Sequence, residues 1–383
     1  LFYDPALVKH RVLWLRLIGW LILGGVACDG ARYTAPPPDA AACTGAWQVV
    51  LPAQTGFSRD LQWRDGILCF ARNLFTPLAI ESVSADGSDR RTLVEGRFER
   101  LWVEPEQLIL FEEGVFYAAP RTGGEARLLF DTGVPTREHR DVALDAQHFY
   151  WTVEGSVIVD PAPQTGPRAR EWTIWRARRD GGGTPEPLAT IPTVNNGQIL
   201  EVLPDAFLVD DTNTRSGDNI SVISKAGGSP RSLPAPPRLG WVLPMGWSEQ
   251  EVLWAVREQP VGLSKAIGLQ RVAVASGVVE PEPFAELPLV DESLAWPTGS
   301  DRGWIVAGDE RFGDGEHKSV WSVDASGRTA RLACAPAGEE FYYVLSDARA
   351  ITADAVYVFA IPNGAVVSGP PNGWSLVRIA RNP

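Results

Sequence analysis

The side chains that could do chemistry are few and scattered. Asp210, Asp211, Asn213 and Asp218 form one acidic stretch, and Asp309 with Asp314 marks a second. Carboxylates and amides in loops are the oxygen ligands of hard cations such as Ca2+. Neither stretch fits the EF-hand register, because Arg215 takes a ligand position and the glycine is misplaced. Both read as solvated turns, and no metal and no cofactor is expected. Among the 15 Trp, Trp241, Trp247 and Trp296 stand nearest the predicted connections, where an exposed indole can stack on a sugar ring. Most of the others, Trp151, Trp254 and Trp304 among them, fall inside strand-like runs and suit packing between sheets.

Signatures of common enzymes are missing. No G-x-S-x-G nucleophile elbow occurs. The four histidines, His10, His139, His148 and His317, show neither H-x-x-x-H nor H-E-x-x-H spacing. His148 opens an aromatic strand and reads as a packing residue, whereas His139 and His317 fall in polar stretches that read as loops. A net charge of −12 without a basic run excludes nucleic acid, which is held by neutralising phosphates. Four cysteines remain to place: Cys28, Cys43, Cys69 and Cys334. Cys69, in an aromatic run, reads as a buried free thiol.

Lys9, His10, Arg11 and Arg16 precede an apolar run from Leu17 to Ala27. The run is about half the length needed to span a bilayer, so it reads as a secretory signal. Gly24, Gly25 and Ala27 followed by Cys28 resemble the lipobox of bacterial lipoproteins, with Gly25 in place of the usual Leu. That resemblance implies cleavage after residue 27 and a lipid anchor on Cys28. The exported remainder carries 32 basic and 46 acidic residues, a net of −14. Residues 28–44, with Pro36, Pro37 and Pro38, read as an extended tether. One domain is expected over residues 45–383.

The elements that must position any site form a repeat. Second-strand runs begin near Ile67, Leu108, Phe149, Phe207, Val252, Trp304 and Val356, at intervals of 41, 41, 58, 45, 52 and 52 residues. Each follows a strand-like run and a polar turn, the last being ARAITAD (348–354), and each precedes a third run. Six glycine turns then lead to fourth runs: at Gly87, Gly123, Gly182, Gly227, Gly277 and Gly327. Such dipeptides supply the positive φ of tight hairpins. The seventh unit has no fourth run, and AWQVVLP (46–52) stands unpaired before the first.

A ring in which the N-terminal strand completes the last sheet accounts for both leftovers, and closure removes exposed sheet edges. The fold expected is all-β: a β-propeller of seven four-stranded blades, the uneven 58-residue interval leaving six and eight open. In such a ring Cys43 and Cys334 fall at opposite faces, which argues against a bridge between them.

Phe149-Tyr150-Trp151-Thr152, with IWR and DGG nearby, resembles the repeats of bacterial extracytoplasmic propellers of the TolB-like and YWTD-like kind. No Asp follows Thr152, so this copy departs from the YWTD pattern. The resemblance implies the fold and an exported location, and it brings no ligand and no catalytic residue. Most connections between second and third runs are long, at 71–78, 154–171, 210–219, 257–268, 309–318 and 361–373. Long loops on a rigid scaffold are where binding groups sit. The expected function is therefore an exported, lipid-anchored, monomeric and non-catalytic module that binds a protein or a glycan through this face. Its membrane contact runs through Cys28 alone. The alternative is a propeller hydrolase or lyase acting on a sugar or lactone at the channel mouth.

Overall fold

The computed structural model describes residues 47–381 except 55–57, 73–77, 135–138, 158–169, 194–197, 211–219, 238–240, 258–265, 290–293, 299–302, 313–314, 335–338, 343–349 and 363–373. The expected signal, Cys28 and the expected tether lie outside the described residues. Seven antiparallel sheets of four strands each follow one another along the chain. Within each, neighbouring strands are consecutive in sequence, except in the last. There Trp47–Gln54 pairs with Trp374–Ala380, from Trp47 opposite Ile379 to Gln54 opposite Trp374. The N-terminal strand thus completes blade 7, and the expected propeller of seven blades is the fold observed.

The second strand of each blade is buried along most of its length because a neighbouring blade covers each face. Ile67–Arg72, Gln107–Glu112 and Glu251–Arg257 show this most plainly. Apolar clusters fill all seven blade boundaries. The one between blades 7 and 1 joins Leu68, Phe70 and Val83 to Tyr357, Phe359 and Leu376. The one between blades 6 and 7 joins Ile305 and Val320 to Val356 and Val377. Trp151, Trp172, Trp254 and Trp304 are fully buried in such layers, as their strand positions foretell. Each buried large side chain contributes about 1.5–3 kcal/mol.

Glycine at the turn between third and fourth strands lets several blades sit close on their predecessors. Gly87, at φ 89°, lies so close to the Val50 carbonyl that a Cβ would collide with it. Gly327, at φ 86°, meets the Phe284 carbonyl of blade 5 in the same way. Polar side chains stitch the same face. Arg121 donates to Asp65 at 2.7 Å, Arg179 to Glu104 at 2.7 Å, and Lys225 to Asp145 at 2.6 Å. Each cation follows a third strand, and each acid lies in the preceding blade's first turn.

Three expectations need correction. Residues 309–318 are not a loop: Trp304–Phe312 and Gly315–Val323 stay paired out to Phe312 opposite Gly315. The hairpin persists because Lys318 Nζ donates to Asp309 at 2.7 Å and Ser319 Oγ to Glu310 at 2.7 Å, so polar residues are partners across it. His139 likewise begins a strand, opposite Val153. In blade 7 the innermost strand is Glu339–Tyr342, paired with Phe359–Pro362, and of the described residues of ARAITAD only Ile351 forms a bridge, to Val356. The aromatic pair in EEFY favours a pleated strand more than the alanines do.

Cys69 is a buried free thiol, as expected. Cys334 is disulfide-bonded, and by count its partner is Cys28 or Cys43, both outside the described residues. The bridge from Cys43 to Cys334, argued against from the ring, thus involves a residue outside the described ones.

Candidate functional site at the channel mouth

The first strand of each blade lines the axis and starts at the end where second strands meet third strands. In blade 1 this strand, Ser58–Arg64, carries a bulge: Arg59 pairs with Ala71, but Gln62 pairs with Cys69. Asp60 sits in the bulge at φ 54°. In blade 3 the strand His139–Leu144 bulges between His139 and Val142, and Asp141 sits there, its N–H donating to the Thr152 hydroxyl at 3.1 Å. Between them, Arg100 opens the first strand of blade 2, opposite Phe111. Bulges beside functional sites re-aim side chains, and here two of them bring carboxylates to one guanidinium.

Arg100 donates from Nη2 to Asp141 Oδ1 at 3.0 Å, and its Nη1 stands 3.9 Å from Asp60 Oδ1. Asp141 Oδ1 also accepts the Val142 N–H at 2.9 Å. Both carboxylates have side chains 3% exposed, whereas that of Arg100 is 26% exposed. Buried charges of this kind persist where they are paired. One turn further along, Gln62 ties blade 1 to blade 2. Its amide nitrogen donates to the Leu101 carbonyl, and its oxygen accepts the Val103 N–H at 3.0 Å. The three ionic groups are therefore held by three adjacent blades on a braced inner wall. Chemically they offer carboxylate acceptors and a guanidinium donor in one place. Among the described residues no group of His, Cys, Asp and Glu could hold a metal ion.

Among the described residues singled out from sequence, none joins this cluster. Asp210 ends the second strand of blade 4, opposite Ile220 and half-buried, while Asp211, Asn213 and Asp218 lie outside the described residues. Asp309 accepts from Lys318 Nζ at 2.7 Å, and Asp314 lies outside. Trp247 donates its indole N–H to the Leu200 carbonyl of blade 4 at 2.8 Å. Trp296 is half-buried against the layer between blades 6 and 7. Trp241 begins the first strand of blade 5, opposite Arg257, with its side chain outside the description.

The overlooked cluster left a trace in the sequence. Asp60, Arg100 and Asp141 are 40 and 41 residues apart, close to the repeat interval. Each precedes the start of its second strand, at Ile67, Gln107 and His148, by the same distance. Comparing equivalent repeat positions for charge would have found them.

No protein-family profile and no curated protein matches the sequence. Solved structures do match. An oligogalacturonate lyase from Vibrio parahaemolyticus aligns over 87% of this chain and 93% of its own, with a TM-score of 0.61 at 9% identity. The acylaminoacyl peptidase of Pyrococcus horikoshii aligns over 80% of this chain and 49% of its own, at a TM-score of 0.52 and 10% identity. TolB from Acinetobacter baumannii, at 13% identity, covers 69% of this chain and 62% of its own with a TM-score of 0.39. What is shared is the propeller fold. A propeller at such identity hosts many unrelated chemistries, so function must be argued from the site.

Proposed function

We propose that this propeller is an exported binding module, anchored through an acylated Cys28, whose protein or glycan ligand seats at the long-loop end of the axis. The observation that supports the reading is the convergence of Asp60, Arg100 and Asp141 from three blades at that end. At the opposite end the charged turns are spent on holding blades together. Ligand sites on rigid scaffolds use a few fixed polar groups, and three of them are held here by adjacent blades. The test is capture of envelope proteins and oligosaccharides by wild type and by Arg100→Ala. Arg100→Ala strands two buried carboxylates and is expected to be less stable; loss of capture under conditions where the variant is still folded supports the assignment, and equal capture refutes it. Fractionation tests the anchor separately, since Cys28→Ser is expected to leave the membrane fraction.

A second reading is favoured by the same carboxylates. Two acids and a guanidinium held together are the kinds of group that a hydrolase or lyase acting on a sugar or lactone uses. The Vibrio neighbour, a lyase of oligogalacturonate, gives one substrate to try. Turnover of oligogalacturonate or a lactone that disappears in Asp141→Asn favours this reading; binding without turnover favours the first.

A further inference from the structure

We propose that Cys43 is the partner of Cys334, and that their disulfide fastens the ring-closing strand Trp47–Gln54 to blade 6, so that closure of the propeller depends on the thiol redox state of its surroundings.

Cys334 is disulfide-bonded and Cys69 is a buried free thiol, which leaves the two N-terminal cysteines to choose between. In an ideal ring Cys43 and Cys334 fall at opposite faces, because a fourth strand ends where its blade ends. Blade 6 departs from this. Cys334 lies opposite Ser319, which lies opposite Gly308, and the hairpin runs on past that level to Phe312 opposite Gly315. Cys334 therefore sits midway up the blade, level with the middle of Trp304–Phe312. Trp47 lies opposite Ile379, which lies opposite Val356, near the start of Ala355–Pro362. Measured along the second strands, the two levels differ by about three residues, or about 10 Å.

The sideways gap is bridged by packing. Trp47 packs against the apolar layer between blades 6 and 7, whose members include Leu332 and Ala333, the two residues before Cys334. The same layer holds Ile305 and Ala307 with Val356 and Val358, which sets the two second strands side by side. Cys43 precedes Trp47 by four residues, an extended reach of about 13–14 Å. A disulfide adds a Cα–Cα span of about 4.4–6.8 Å, so Cys334 is within range. Cys28 precedes Trp47 by 19 residues. The effective concentration of a tethered group falls roughly as the −3/2 power of tether length, which favours Cys43 about tenfold. Nothing here depends on a lipid at Cys28, and the pairing leaves that sulfur available for one.

Formation of the bond is an exchange with a disulfide oxidant. The Cys43 and Cys334 thiols give up two protons and two electrons, an S–S bond forms between them, and the S–S bond of the oxidant is cleaved to two thiols. A dithiol reductant runs the same step backwards and leaves Trp47–Gln54 held by non-covalent contacts alone.

The test uses the full chain, purified from an oxidising medium with free thiols blocked. Non-reducing tryptic digestion separates the candidates, because Cys43 falls in residues 33–59, Cys334 in 332–349 and Cys28 in a peptide that ends at Arg32. The expected result is 33–59 linked to 332–349, present in wild type and in Cys28→Ser and absent after reduction. A link from 332–349 to the Cys28 peptide or to its own copy in a second chain overturns the pairing, as does unlinked 332–349 in unreduced protein. Hydrogen exchange then tests the fastening. Reduction, or Cys43→Ser, is expected to speed exchange of the Trp47–Gln54 amides about tenfold while those of Gln107–Glu112 in blade 2 stay unchanged. Equal exchange with and without the bond, or a rise spread evenly over all blades, overturns the fastening role.

Discussion

Arg179 of blade 3 grips both carboxylate oxygens of Glu104 in blade 2, at 2.7 and 2.9 Å, with its guanidinium carbon 5.6 Å from the centre of the Phe149 ring. Burial raises the Glu104 carboxyl, but the bonds from Arg179 and Gln107 outweigh it and hold the group below its ordinary range. Fork-to-fork pairs of this kind are among the strong ones. Arg179→Ala is expected to cost about 2 kcal/mol in urea unfolding, since it strands a half-buried carboxylate. Arg178→Ala, which breaks the exposed pair with Asp180 next door, is expected to leave the midpoint unchanged.

Asp145 is the acid-sensitive point of the same face. Burial pushes its carboxyl up, yet Lys225, Tyr150 and the Gln147 and His148 N–H groups pull it down to about 2. A carboxylate depressed in the folded state adds stability above its unfolded value of 3.8, and that contribution fades as pH falls toward 2. Wild type is therefore expected to lose stability more steeply between those two values than Asp145→Asn. At neutral pH Asp145→Asn is expected to be less stable by about 2 kcal/mol. Parallel pH profiles of the two midpoints would contradict this.

Gly87 and Gly66 separate conformational strain from collision. Both are at positive φ, but a Cβ at Gly66 meets nothing within 4 Å, whereas one at Gly87 strikes the Val50 carbonyl. Gly66→Ala is expected to cost about 1 kcal/mol, and Gly87→Ala at least about twice that, because blade 1 must move off blade 7. Equal losses would show that the boundary between blades 7 and 1 yields freely.

The thiols offer a chemical check. Burial pushes Cys69 up to about 11, against smaller opposing effects of Arg121 and Arg91. At pH 8 it is expected to ignore a thiol reagent until the chain is unfolded, because the thiolate is the reacting form. Cys334→Ser is expected to lower stability by about 2–4 kcal/mol under oxidising conditions and by nothing measurable under reducing ones.

The blades were legible in the chain because their rules are local. Apolar runs such as ILCFAR and FYWTVE, six glycine turns, one unpaired N-terminal run and one missing fourth run pointed to seven blades and a closed ring, which is what forms. The hairpin at 304–323 was hidden because its outer half is stabilised by Asp309 and Lys318 rather than by apolar side chains. The mouth was hidden for a different reason. Nothing in RDLQW or RDVAL announces a bulge, and Asp60 and Asp141 become neighbours of Arg100 only through closure of blades around an axis. Trp247, chosen for its place near a connection, turned out to be bonded to the blade beside it, which burial decides and composition does not.

Pairing of Trp47 with Ile379 makes the earliest strand wait for the latest. Six blades can form in the order of synthesis, but the seventh must recruit a segment more than three hundred residues away, which makes it the slow step. A chain cut short before Trp374 would leave Trp47–Gln54 without its mate and blade 7 with an open flank, a template for pairing with other chains. Completion is thereby self-proofing: Trp374–Ala380 is the latch, and a copy without it advertises itself.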